Sequence, residues 1–146
     1  MSRIYVGIDP GLQTGFAVSL KGKIEEVKTV DFWGVMDEIR ALIGRNPGLD
    51  LRIVIERPDL NKPLFFRAGT NERTKIKIAQ DVGANKRDAR LLIQWAEREG
   101  LDMIQVRPSG STFTKLNAEQ FRKISGYAGR TSEHGRDAAM LILGRG

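Results

Sequence analysis

The chain has 146 residues, with 24 Lys and Arg against 18 Asp and Glu, and it has no cysteine. Disulfides, thiol catalysis and cysteine-based zinc sites are therefore excluded, and no apolar stretch approaches the ~20 residues of a membrane-spanning helix. The length suits one domain over residues 1–146 with a proper core. The opening "MSRIYVG" lacks the charged-then-apolar pattern of a signal peptide, so a cytoplasmic protein is expected.

The net charge of +6 is unevenly placed: residues 62–90 carry eight basic and three acidic side chains, and residues 107–146 carry seven and three. Two basic regions on a mildly acidic remainder point to a phosphate-rich partner. A solvated basic face without a partner is the alternative.

The elements alternate along the chain. "RIYVGID" (3–9) sets Ile4, Val6 and Ile8 against Tyr5, Gly7 and Asp9, the period of a strand with two distinct faces. Pro10-Gly11 ends it, and "GFAVSL" (15–20) returns as a partner strand. Lys21-Gly22 turns into a third strand, "KIEEVKTV" (23–30), after which Asp31 caps a helix with Val35, Ile39 and Leu42 on one stripe. "LRIVIE" (51–56) is a β-branched run suited to a strand covered on both faces. A polar segment without clear period (57–74) leads to a helix over 75–99 with a possible break near Gly83. "LDMIQV" (101–106) reads as a fifth strand stopped by Pro108, and two helices close the chain, the last capped by Thr131 or Ser132. The order β-β-β-α-β-α-β-α defines an α/β class with a mixed sheet.

Asp9 ends the first strand and Glu56 ends the fourth, while His134 and Asp137 lie three apart on one face of the last helix. Each residue has an ordinary reading: a turn aspartate before Pro-Gly, a local pair with Arg57, a solvent-facing histidine, a late cap. Taken together they carry more. If the first and fourth strands are neighbours and the last helix crosses them, carboxylates from three distant stretches converge. Such like charges disfavour ionisation unless a cation intervenes, and Mg²⁺ or Mn²⁺ is the hard ion that takes oxygen ligands and keeps waters.

"GIDPGLQTGFAV", "IVIERP" and "EHGRDAAMLI" together resemble the RuvC-type Holliday-junction resolvases, above all phage-encoded members, and "IAQDVGANKRDA" (78–89) resembles the family's helix behind the active site. The first motif alone is shared with actin-like ATPases and sugar kinases, but 146 residues leave no room for their second domain, and no nucleotide cofactor is expected. The resemblance implies an RNase H-like fold: a mixed five-stranded sheet, three antiparallel strands plus two parallel, flanked by helices. It assigns Asp9, Glu56, His134 and Asp137 to a centre of two Mg²⁺ ions, for which Mn²⁺ can substitute. The implied reaction is phosphodiester hydrolysis leaving 5′-phosphate and 3′-hydroxyl ends.

The resemblance also implies a lysine near the scissile phosphate, with Lys115 and Lys123 as candidates and Lys123 preferred, and a stacking aromatic, Phe65 or Phe66. With Arg67, Arg73, Lys75, Lys77, Lys86 and Arg87 as phosphate contacts, the expected partner is branched DNA read by its shape. Two symmetric cuts in a four-way junction imply a homodimer, and the apolar positions Ile76, Ile78, Val82, Leu91, Leu92 and Trp95 are its candidate surface. A nucleoid-associated enzyme of a bacterial or phage-infected cell would follow. A flap or fork endonuclease and a non-catalytic junction-binding module are the competing functions.

Overall fold

The computed structural model describes residues 3–57, 68–108 and 116–146. Five strands form one sheet in the order β3-β2-β1-β4-β5: β1 (Arg3–Asp9), β2 (Thr14–Leu20), β3 (Lys23–Val30), β4 (Asp50–Glu56) and β5 (Asp102–Val106). The pairs β1–β2 and β2–β3 are antiparallel, and β1–β4 and β4–β5 are parallel. Among the described residues four helices flank this sheet: α1 (Phe32–Arg45), α2 (Glu72–Arg98), α3 (Ala118–Ser125) and α4 (Glu133–Ile142). This is the α/β class, with three antiparallel and two parallel strands, that the sequence leads one to expect.

Strand alternation divides the interior in two. On one face Ile4, Val6, Ile8, Phe16, Val18, Ile53 and Ile55 meet the α1 stripe Val35, Met36, Ile39 and Leu42 and the α2 residues Leu92, Ile93 and Ala96. On the other face Ala17, Ile24, Val27 and Val54 meet Phe121 of α3 and Ala138, Ala139 and Ile142 of α4. The two clusters are fed by alternate residues of the same strands. A one-residue slip in register would therefore exchange them.

Local chemistry sets the helix starts. Asp31 accepts from the Gly34 amide at 2.6 Å, and Asn71 accepts from the Thr74 amide at 2.8 Å. Asn117 and Gln120 form a reciprocal capping box at α3, which ends at Gly126 in the left-handed region, φ 74°. On the outer strand, Lys28 lies over the Phe16 ring and pairs with Glu26 and with Glu38 of α1, fastening β3 to that helix. Burial acts to lower the Lys28 pKa, but the hydrogen bonds to Glu26 and Glu38 outweigh it and hold the ammonium above its ordinary value. Its stabilising contribution is thus complete below the usual lysine range and is lost only as pH rises through the higher folded-state value.

The helix expected over 75–99 is α2, and of the two alternatives left open at Gly83 the structure has the continuous one. One glycine costs a helix about 1 kcal/mol, and the packing of Ala89, Leu92, Ile93 and Ala96 outweighs it. The apolar surface expected for a dimer also shrinks. Leu92 belongs to the core and Trp95 packs against it, whereas Ile76 is exposed. Among the described residues, no helix is long and apolar enough to cross a membrane.

α4 approaches the sheet through glycine. A Cβ on Gly7 would overlap the Ala138 carbonyl oxygen, and one on Gly15 would overlap that of His134. Gly15→Ala must push the helix backbone away, a cost of about 1–3 kcal/mol, read as a lower urea midpoint. A Cβ at the exposed Gly83 meets nothing within 4 Å, so Gly83→Ala should raise stability by up to about 1 kcal/mol in the same melt.

Candidate active site

The parallel register places Asp9 and Glu56 together. Ile8 pairs with Ile55, so the next residue of each strand leaves the sheet at the same end and, by alternation, on the α4 face. Gly15 stands opposite Asp9 on β2, and α4 begins above it. Ser132 caps this helix by accepting from the Gly135 amide at 3.0 Å, and its hydroxyl also shares a 2.5 Å hydrogen bond with Thr29 of β3. The cap is therefore Ser132 and not Thr131.

Arg136 holds the approach to the helix from the other side. It donates to the Leu116 and Thr131 carbonyls and to the Thr131 hydroxyl at 2.9–3.0 Å. With both ends of the entry segment tied, the first turn of α4 has one position over the sheet.

That position brings Asp9, His134 and Asp137 into one group, with a ligand atom of each within 4.8 Å of the others. His134 Nδ1 lies 3.7 Å from Asp9 Oδ2; the aspartate side chain is 16% exposed and the imidazole 48%. The carboxylate is thus held in the wall while the imidazole faces the solvent side. Glu56 stands outside this tight group but lines the same cavity, of about 560 Å³, whose wall includes Asp9, His134 and Asp137. Glu133, next to His134 in the chain, is exposed and also lines it. Carboxylates from β1, β4 and α4 therefore share one opening. A hard divalent cation is the ligand such a donor set can hold.

Sequence reasoning missed several lining residues, among them Asp81 and Asn85 of α2, and Arg107, just beyond β5. The first two carry a legible signal. They fall next to Ile78, Val82 and Ala89 on the side of α2 that turns inward, where apolar residues would otherwise be expected. Arg107 follows Val106, the β5 partner of Glu56, and is the lysine or arginine in the cavity wall among the described residues.

Other expected residues are placed elsewhere. Lys123 is exposed on α3, 4.0 Å from Glu119, and is not in the cavity wall. Arg73, Lys77, Lys86 and Arg87 are exposed on α2, whereas Lys75 is partly covered and lies 3.5 Å from Glu72. At about 100° per residue, Arg73 and Arg87 point away from the sheet and Lys77 and Lys86 lie on opposite flanks, so these cations do not form a single stripe. Phe65, Phe66, Arg67 and Lys115 lie outside the described residues. Compared with known proteins, the chain matches no family model and no curated protein.

The Ser132 hydroxyl both caps α4 and ties it to Thr29, so Ser132→Ala should cost about 1–2 kcal/mol. The measurement is chemical denaturation, with amide exchange of the first α4 turn increasing ahead of the rest of the helix.

Proposed function

We propose that the chain is a divalent-metal-dependent, structure-selective endodeoxyribonuclease of the RuvC type that resolves four-way DNA junctions by paired symmetric nicks. One observation carries the reading: Asp9, His134 and Asp137, from opposite ends of the chain, meet within 4.8 Å of one another. Glu56 in the same cavity wall, the mixed sheet consistent with an RNase H-like arrangement and the +6 net charge support it.

The donor set fits Mg²⁺ or Mn²⁺: carboxylate oxygens suit hard cations, and an imidazole is an accepted additional ligand. Asp9 and Asp137 would hold the ions, with Glu56 and His134 at the margins. When bound, such ions supply a water of lowered pKa and neutralise charge on the departing 3′ oxygen.

The protein's own groups do the rest. Asp9 Oδ2 lies 3.7 Å from His134 Nδ1, and the neutral imidazole, on the solvent side of the cavity, would take a proton from the attacking water. Oxygen attack at phosphorus then breaks the bond to the 3′ oxygen, giving 5′-phosphate and 3′-hydroxyl ends. Arg107 offers a fixed positive charge at the wall for a phosphate oxygen. A homodimer would present two such sites to a two-fold symmetric junction.

The test uses labelled four-way, three-way and linear duplex DNA with Mg²⁺, Mn²⁺ or EDTA. Symmetric nicks in the four-way junction, dependent on metal, are expected. Cutting of flaps or forks at equal rates would move the reading to a general branched-DNA nuclease, and binding without cutting would reduce it to a junction-binding module. Asp9→Asn should lower the cleavage rate at least about 100-fold while sparing junction binding. Mn²⁺ is expected to raise the melting temperature of the wild type, and Asp9→Asn should remove that rise. Unchanged cleavage by that variant would overturn the assignment.

A further inference from the structure

We propose that Leu12 is a specificity-determining residue that seats the nucleotide beside the scissile phosphate through an apolar contact with its base or deoxyribose. The inference rests on the nuclease reading above and deepens it.

Leu12 is 80% exposed, the most exposed of the large apolar side chains among the described residues. A lone surface leucine is ordinary, but this one lines the same cavity as Asp9, Glu56, His134 and Asp137. It therefore presents an exposed aliphatic group at the edge of an opening whose wall holds carboxylates, an imidazole, amides and Arg107, with Met140 and Leu141 of α4 also lining it.

The short β1–β2 connection prevents its withdrawal. Pro10 is buried at one end and Thr14, 1% exposed, at the other. The Thr14 hydroxyl donates across the turn to the Gly11 carbonyl at 3.3 Å. On the outer side, Asn85 Oδ1 lies 3.7 Å from where a Cβ on Gly11 would stand, so α2 backs the loop. A side chain on a turn braced from both sides cannot fold onto the core.

Water is a poor neighbour for this group, and the surface that would replace it is the substrate's. Phosphate is matched by cations, so the apolar partner in DNA is a base face or a sugar. Because Leu12 shares the cavity wall with Asp9, the nucleotide at the cut is the one it would meet.

Leu12→Ser and Leu12→Met test this with the full chain and a four-way junction carrying varied sequence around the crossover. Leu12→Ser should raise KM roughly tenfold, the scale of one lost aliphatic contact. It should spread the mapped nicks over more positions and leave kcat and the melting temperature near wild type. Leu12→Met should restore both KM and the nick pattern, which a merely structural loss at an exposed site would not require. If the wild type cuts and Leu12→Ser matches its KM and nick map, this proposal alone is overturned. If the wild type neither cuts nor binds branched DNA, the nuclease reading falls and the proposal with it.

Discussion

The close seating of α4 on the β1–β2 hairpin is the constraint on which the rest of the site depends. Two strand glycines, Gly7 and Gly15, remove the side chains that would hold the helix off, so the Ala138 and His134 carbonyls rest on strand backbone. Gly135 does the same from the helix side: a Cβ there would stand 2.8 Å from Val27 Cγ1. Such contacts have little slack, because backbone atoms cannot rotate away as a long side chain can. The residues of the cavity wall inherit this rigidity. His134 sits on the turn above Gly15, and Gly15 is paired with Asp9.

Polar anchors complete what close packing begins. Ser132 joins the helix start to β3, and Arg136 joins it to the segments at Leu116 and Thr131. The apolar half of α4, with Ala138, Ala139 and Ile142, supplies the burial, while its first turn supplies the acidic and imidazole groups. One ten-residue helix thus has a structural end and a chemical end. This division lets charged groups be held firmly without being buried in the core, where an unpaired charge would be costly. Asp9 gains the same benefit from β1, whose earlier residues are core and whose last one opens into the cavity.

The cavity draws on more of the chain than the motifs suggest. Asp81 and Asn85 reach it from the middle of α2, although that helix makes its main contribution to the core through Leu92, Ile93 and Ala96. The polar character of these two positions interrupts an otherwise inward-facing stripe. At this break between local pattern and burial the two side chains line the cavity instead of the core. The basic residues of α2 show the converse: their abundance is plain in composition, yet helical phase scatters them over more than one side.

The sequence by itself determined the alternating elements, the two-faced strands, the Asp9 and Glu56 strand ends and the shared face of His134 and Asp137. Each of these follows from a period of two or 3.6 residues that nearest neighbours in the chain already express. The continuity of α2 through Gly83 was not legible, because a local helix penalty was outweighed by packing against residues distant in sequence. Nor was the inclusion of Arg107, which depends on β5 lying beside β4. Only the tertiary structure decided that Asp9, His134 and Asp137 close into one group while Glu56 stands apart in the wall and Lys123 lies elsewhere. Periodicity assigns a side chain to a face, whereas its distance from another element is set by how closely two backbones can approach, here by glycine against carbonyl.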